Sequence, residues 1–169
     1  IWCNDWNALD ERFPGAFRRY IYGRSPAGDY ALPKTLEILN RHGLQGVFFV
    51  EPLFAARFGV EHLAEVTALI RDAGQEVQMH LHPEWTDEIS PPVFPDKPFK
   101  RQHLIHYSRE EQTELMRRGL ALLAAAGNPE ITAFRAGSFA ANADTLAAVK
   151  ACGLGVDSSL NMLYSYSGQ

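Results

Sequence analysis

Strand-like and helix-like stretches take turns along almost the whole chain, and that alternation restricts the fold more than any other feature. Gln45-Gly46-Val47-Phe48-Phe49-Val50 is a nearly continuous apolar run, as expected for a strand covered on both faces. Before it, Pro33 to His42 reads as a helix. Leu32, Leu36 and Leu39 recur at helical spacing, Pro33 suits a first turn, and Gly43 suits the position just past the end. After it, Glu61 to Ala73 reads as an amphipathic helix with Leu63, Val66, Leu69 and Ile70 inward, closed by Gly74. A strand follows from Gln75, with Val77 and Met79 alternating with polar neighbours. Ser108 to Ala126 is the strongest helix, with Ser108 and Glu111 forming a capping box and Leu115, Leu122 and Leu123 giving the stripe. Ile131 to Phe134 is a short strand, Asn142 caps a helix to Cys152 that Gly153 ends, and Leu154 to Val156 is a last strand. With Ile1-Trp2-Cys3-Asn4 as the first strand, the order is β, α, β, α, β, α, β, α, β. Such an order predicts an α/β fold with a parallel sheet and helical crossovers. Residues 6 to 29 show no clear period and are expected to form a long packed loop, with a helical turn near Ala16 to Tyr20.

The chemistry concentrates where the third strand stops. His80 and His82 are two apart on an extended chain, so both side chains face one way and Leu81 the other. Pro83 cannot donate to a ladder and ends the strand, and Glu84 follows at once. Two imidazoles beside a carboxylate form a plausible metal half-site, because zinc and similar ions take imidazole nitrogen and carboxylate oxygen. Asp5, Arg135 and Asp157 also come directly after strands. In parallel α/β architectures that is the end where active sites are built. Aromatic residues in the connecting segments, Trp6, Trp85, Phe94, Phe99 and Tyr107, are available to stack on a ligand. A second long excursion, rich in proline, leaves the same strand over residues 85 to 107, where His103 and His106 are expected to be solvated.

Composition removes several alternatives. The chain has 169 residues, 46% of them hydrophobic, which suits one domain over 1–169 with a real core. A net charge of -4 and the lack of a basic stripe argue against nucleic acid. No apolar run approaches the roughly 20 residues that span a bilayer. Cys3 and Cys152 are read as buried thiols rather than a disulfide framework. No leader peptide is visible, which favours the cytoplasm slightly, and residue 1 is Ile, so a trimmed start and export stay open.

These segments together resemble the polysaccharide deacetylases of the NodB-homology type, carbohydrate esterase family 4. Gly43-Leu44-Gln45-Gly46-Val47-Phe48-Phe49-Val50-Glu51 is similar to the family's Gly-x-x-ATFFV strand. Ala73-Gly74-Gln75-Glu76-Val77-Gln78-Met79-His80 is similar to its aGHEIgxH segment. Phe134-Arg135-Ala136-Gly137-Ser138-Phe139, then Asn142, Thr145-Leu146 and Gly153, is similar to its RxPxG segment and the helix after it. The resemblance implies a distorted (β/α) barrel, incomplete in this chain, with one divalent metal: zinc first, with cobalt, nickel or iron as alternatives. It implies a hydrolase that removes N-acetyl groups from a sugar or polysaccharide. Carried over, Asp5 is the metal aspartate, His80 the first histidine, and Arg135 the residue that orients the base. His82 and Glu84 compete for the third ligand position, with His82 preferred because it shares a face with His80. Asn4 stands where the family has its base aspartate, and an amide cannot accept a proton as a general base. Glu84 is the replacement base in this reading, and Trp6, Trp85, Phe139 and Asp157 contact substrate. A carbohydrate-binding homologue that kept the fold and lost the chemistry is the alternative.

Overall fold

The structure, a computed structural model, describes residues 6–95 and 99–163. The expected first strand, with Cys3, Asn4 and Asp5, lies outside the described residues. The chain divides into two compact units, Ile1–Gly46 with Ala68–Glu76, and Val47–Thr67 with Val77–Gln169.

In the first unit, the segment expected to be a loop is instead mostly helical. A 3₁₀ turn over Trp6–Ala8 leads into α1 (Leu9–Phe17), and a π-helical turn follows over Arg18–Tyr22. Leu9, Phe13 and Phe17 are spaced four apart and are 1%, 2% and 5% exposed, so one helix stripe is fully buried. Pro14 lies inside that helix, where it removes the hydrogen bond that its N–H would make. Gly23 ends the turn at φ 59, where a Cβ would stand 2.7 Å from the Ala31 nitrogen. A short antiparallel ribbon, β1 (Arg24–Ser25) with β2 (Gly28–Asp29), precedes α2 (Leu32–Arg41), which has the expected Pro33 start and Gly43 at φ 63 after it. Gln75, 5% exposed, ties this unit internally. Its amide donates to Asn40 Oδ1 (2.8 Å) and the Leu44 carbonyl (3.2 Å), and its oxygen accepts from the Gly46 amide (2.6 Å).

The second unit carries the sheet. After β3 (Val47–Val50) come α3 (Ala55–Phe58), α4 (Val60–Asp72), which belongs to the first unit from Ala68 on, and β4 (Glu76–Leu81), in the second unit from Val77 on. Then follow α5 (Arg109–Ala125), β5 (Ala133–Ala136), α6 (Ala143–Ala151) and β6 (Val156–Asp157). The strand order is β3-β4-β5-β6. β4 and β5 run parallel with His80 opposite Arg135, and β5 and β6 run parallel with Phe134 opposite Asp157. This is the α/β architecture with helical crossovers that the alternation implies. Val47 is 51% exposed and β3 lies at an edge of the described sheet, so the expectation of a strand covered on both faces does not hold there.

Met79, Leu81, Phe134 and Ala136 bury one face of the sheet to 1% exposure or less. Gly119, in the middle of α5, lets that helix lie close. A Cβ there would stand 2.8 Å from Met79 Sδ and 3.1 Å from Leu81 Cδ2. The opposite face carries Gln78, His80 and Arg135. Gln78 is 3% exposed, and its oxygen accepts from the amides of Thr132 (2.9 Å) and Ala133 (2.7 Å). Those amides are therefore taken by a side chain, and β5 starts two residues later than the sequence pattern suggests.

The caps read from the sequence are present. Ser108 Oγ accepts from the Glu111 amide, and Glu111 accepts from the Ser108 amide. Asn142 and Thr145 form the same reciprocal pair at α6. Gln112, fully buried, links the two caps: it accepts from Thr145 Oγ1 (2.7 Å) and donates to the Tyr107 carbonyl (2.9 Å). The proline-rich excursion is fastened at its end by Arg101, which makes two 3.0 Å contacts with Glu111 and stacks 3.7 Å over the Tyr107 ring.

Candidate active site at the carboxyl end of the sheet

β4 delivers His80 one residue before it ends. His82 keeps an extended backbone (φ −114°, ψ 93°), and Pro83 opens a 3₁₀ turn over Pro83–Asp87. The two imidazoles are neighbours, with centroids 4.7 Å apart and rings at 76°. Each is held through Nδ1. The His80 Nδ1–H donates to the Arg135 carbonyl at 2.7 Å, since a carbonyl can only accept. The His82 Nδ1 meets Glu84 Oε1 at 3.1 Å. Anchoring one ring nitrogen fixes the tautomer and leaves Nε2 as the ligating atom, the usual outer support of a metal-bound histidine.

The electrostatics separate the two rings. Burial, reinforced by the neighbouring His82, pushes His80 down to about 4, so it is neutral at pH 7. Burial opposes the charged form of His82 too, but the Glu84 hydrogen bond and charge outweigh it and raise His82. Burial likewise works to raise Glu84, and His82 outweighs it and lowers Glu84. Glu84 is 7% exposed, and among the described residues its Oε2 has no hydrogen-bond partner. Because Oε1 sits on the Nδ1 side of His82, Glu84 supports that ring from behind and does not stand beside its Nε2.

One carboxyl was not singled out from the sequence. Glu51 follows β3 directly, and its oxygens accept from the amides of Leu53 (2.8 Å) and Phe54 (3.3 Å). Burial raises it to about 7, against those amide bonds and the charge of His82. Its position directly after an apolar strand is the signal that could have found it. His103 also belongs near this cluster, because Glu84 and His82 both act on its charge.

The sequence pattern of the family described as "Polysaccharide deacetylase" matches residues 25–156. The chain belongs to the polysaccharide deacetylase family. No curated protein is similar enough to count as a match. Among solved structures, a carbohydrate esterase family 4 pseudoenzyme from Bacillus anthracis is 22% identical with a TM-score of 0.53, covering 75% of this chain and 37% of its own. A mutant of that pseudoenzyme with restored enzymatic activity is 23% identical with the same TM-score, covering 75% of this chain and 38% of its own. A family 4 carbohydrate esterase from Streptomyces lividans, in complex with acetate, is 18% identical with a TM-score of 0.50, covering 72% of this chain and 52% of its own. These likenesses establish the fold of a polysaccharide deacetylase, and the chain spans from about a third to about half the length of those proteins.

Within this deacetylase fold, the other expected site residues are distributed unevenly. Arg135 donates from Nη2 to Ser158 Oγ (2.8 Å) and lies 4.2 Å over the Phe49 ring and 5.8 Å from the Phe139 ring. Among the described residues it clamps no carboxylate, and Glu84 is held by His82 instead. Trp85 is 2% exposed and packs against Phe54 and Phe58, so its ring offers no face to a ligand. Asp157 accepts from Ser159 Oγ (2.7 Å) and the Ser159 amide (3.2 Å), while Ser159 Oγ accepts from the Ala136 amide (2.8 Å). That chain of bonds makes Asp157 a support for the end of β5. Phe139 is part-exposed beside Arg135. Trp6 lies in the first unit, in the 3₁₀ turn before α1. Asn4 and Asp5 lie outside the described residues. Among the described residues no group of three or more His, Cys, Asp or Glu side chains could hold a metal ion. Two of the donors that such a site needs are present, the His80 and His82 imidazoles with Nδ1 engaged. No helix among the described residues is long and apolar enough to cross a membrane.

Proposed function

We propose that this chain is a metal-dependent deacetylase domain over 1–169 that hydrolyses N-acetyl groups of a sugar or polysaccharide. The observation that carries the reading is the His80–His82 pair, with both Nδ1 atoms engaged and both Nε2 atoms left to ligate. His80 and His82 would hold a divalent ion, zinc first, with Asp5 as the third ligand that the family resemblance implies. When bound, such an ion polarises an acyl carbonyl and lowers the pKa of water. His80 serves by staying neutral near pH 7, which keeps its Nε2 lone pair available. Glu84 serves by fixing the His82 ring through Oε1, on the side away from Nε2. Arg135, fixed by Ser158 and the Phe49 ring, keeps a positive charge on the His80 side of the site. Phe139 offers its part-exposed ring to substrate.

The test is acetate release from N-acetylglucosamine oligomers by the zinc- or cobalt-loaded protein. Release that a His80→Ala variant loses supports the reading. No release above that variant, across several such substrates, overturns it.

A second reading has its own motive in Asn4, which replaces a carboxylate in the family pattern, and in the pseudoenzyme among the similar structures. It is a carbohydrate-binding homologue without turnover. Sugar binding seen by calorimetry, unaffected by chelators and without acetate release, would favour it.

A further inference from the structure

We infer that Gly137 is a positioning residue for His82: its missing side chain is the seat against which the His82 imidazole rests. The functional weight of this seat rests on the metal-binding reading above, but the contact itself does not. A Cβ at Gly137 would stand 2.7 Å from the Leu81 carbonyl oxygen and 3.1 Å from both Cε1 and Nδ1 of the His82 ring. No real Cβ tolerates the first distance, and the second forces the ring to give way. The Nδ1 that would be pushed is the atom that meets Glu84 at 3.1 Å.

Space is the reason for glycine here, and conformation is not. Gly137 is absent from the positive-φ glycines of the chain, whereas the two residues after it, Ser138 and Phe139, both sit at φ 55 without being glycine. That left-handed pair is strained and persists only where its surroundings hold it. They do: the Ala140 amide donates to the Gly137 carbonyl (3.0 Å), the Ala141 amide to that of Phe139 (3.1 Å), and the Ala136 amide to Ser159 Oγ (2.8 Å), itself bonded to Asp157. The turn leaving β5 is therefore fixed from both sides, and its one position without a side chain faces the His82 ring. A residue with a Cβ at 137 moves His82 off Glu84 and redirects Nε2, while leaving His80, anchored on Arg135, in place.

The experiment uses nuclear magnetic resonance on the metal-free protein, with zinc affinity measured by chelator competition and folding followed by thermal melting. The unmodified protein should show a strong nuclear Overhauser contact between His82 Hε1 and the Gly137 Hα protons, and a hydrogen-bonded His82 Nδ1 signal that Glu84→Gln removes. Gly137→Ala should lose that signal and bind zinc about tenfold to a hundredfold more weakly, the usual effect of disturbing the outer support of a ligand. Ser138→Gly, which relaxes the neighbouring strain without adding an atom against the ring, should keep both. If Gly137→Ala retains the His82 signal, or Ser138→Gly loses as much, the inference is overturned. Should Gly137→Ala fail to fold, absence of the Hε1–Hα contact in the unmodified protein overturns it equally. If the unmodified protein takes up no zinc, the metal reading fails, and the two magnetic resonance criteria still decide the seat.

Discussion

Replacing Glu84 with Gln should destabilise the metal-free protein, and the loss should depend on pH in a way the geometry fixes. The His82–Glu84 contact is 3.1 Å, with side chains 36% and 9% exposed. A hydrogen bond to a charged partner contributes about 1.5–3 kcal/mol. Screening at the more exposed His82 reduces this to about 1–2 kcal/mol. His82 is raised above 6.5, so its contribution is complete below that value and fades as pH climbs through the folded-state pKa. Glu84 is lowered below 4.5, so its contribution is complete above that value and fades as pH drops through its folded-state pKa. Both partners are charged in the window between 4.5 and 6.5. There, Glu84→Gln should lower the melting temperature by about 2–8 °C, from about 2–4 °C per kcal/mol for a chain of this size. As pH climbs through the folded-state pKa of His82 and the ring becomes neutral, the difference should shrink. Thermal melts of both proteins from pH 5 to pH 9 read this directly. A difference that stays flat, or grows toward pH 9, would refute the ion pair.

Gly119→Ala should cost about 1 kcal/mol in a denaturant titration, because the roughly 1 kcal/mol gain in helix propensity is outweighed by overpacking against Met79, Leu81 and Pro52. A stabilised variant would mean that α5 does not press on the sheet there. Ser108→Ala removes one half of the capping box and should cost about 1 kcal/mol in the same titration. Asn4→Asp restores the carboxylate of the family pattern and should leave acetate release equal or raise it. A fall would argue against any role for position 4 in proton transfer.

What the sequence conveyed was the local grammar. Ser108 with Glu111, Asn142 at the start of α6, and Gly43, Gly74 and Gly153 after helix ends all depend on residues within a few positions of one another, and each appears where the pattern puts it. The stripe of Leu9, Phe13 and Phe17 obeys the same local rule but is interrupted by Pro14-Gly15, a pair that normally marks a loop, so α1 was hidden. The site divides in the same way. The shared face of His80 and His82 follows from strand periodicity. The Arg135 carbonyl on His80, the Phe49 ring under the Arg135 guanidinium and the burial of Trp85 and Glu51 come from other parts of the chain, and no spacing encodes them.

The Gln75 junction depends on its side chain being an amide. Its nitrogen faces two oxygens, Asn40 Oδ1 and the Leu44 carbonyl, and its oxygen faces the Gly46 amide. Hydrolysis of that side-chain amide to a carboxylate exchanges one atom for another of nearly the same size. The new oxygen then meets two acceptors and has nothing to receive, inside a site that is 5% exposed. A chemical change of about one mass unit would thus turn a three-way tie into a buried repulsion.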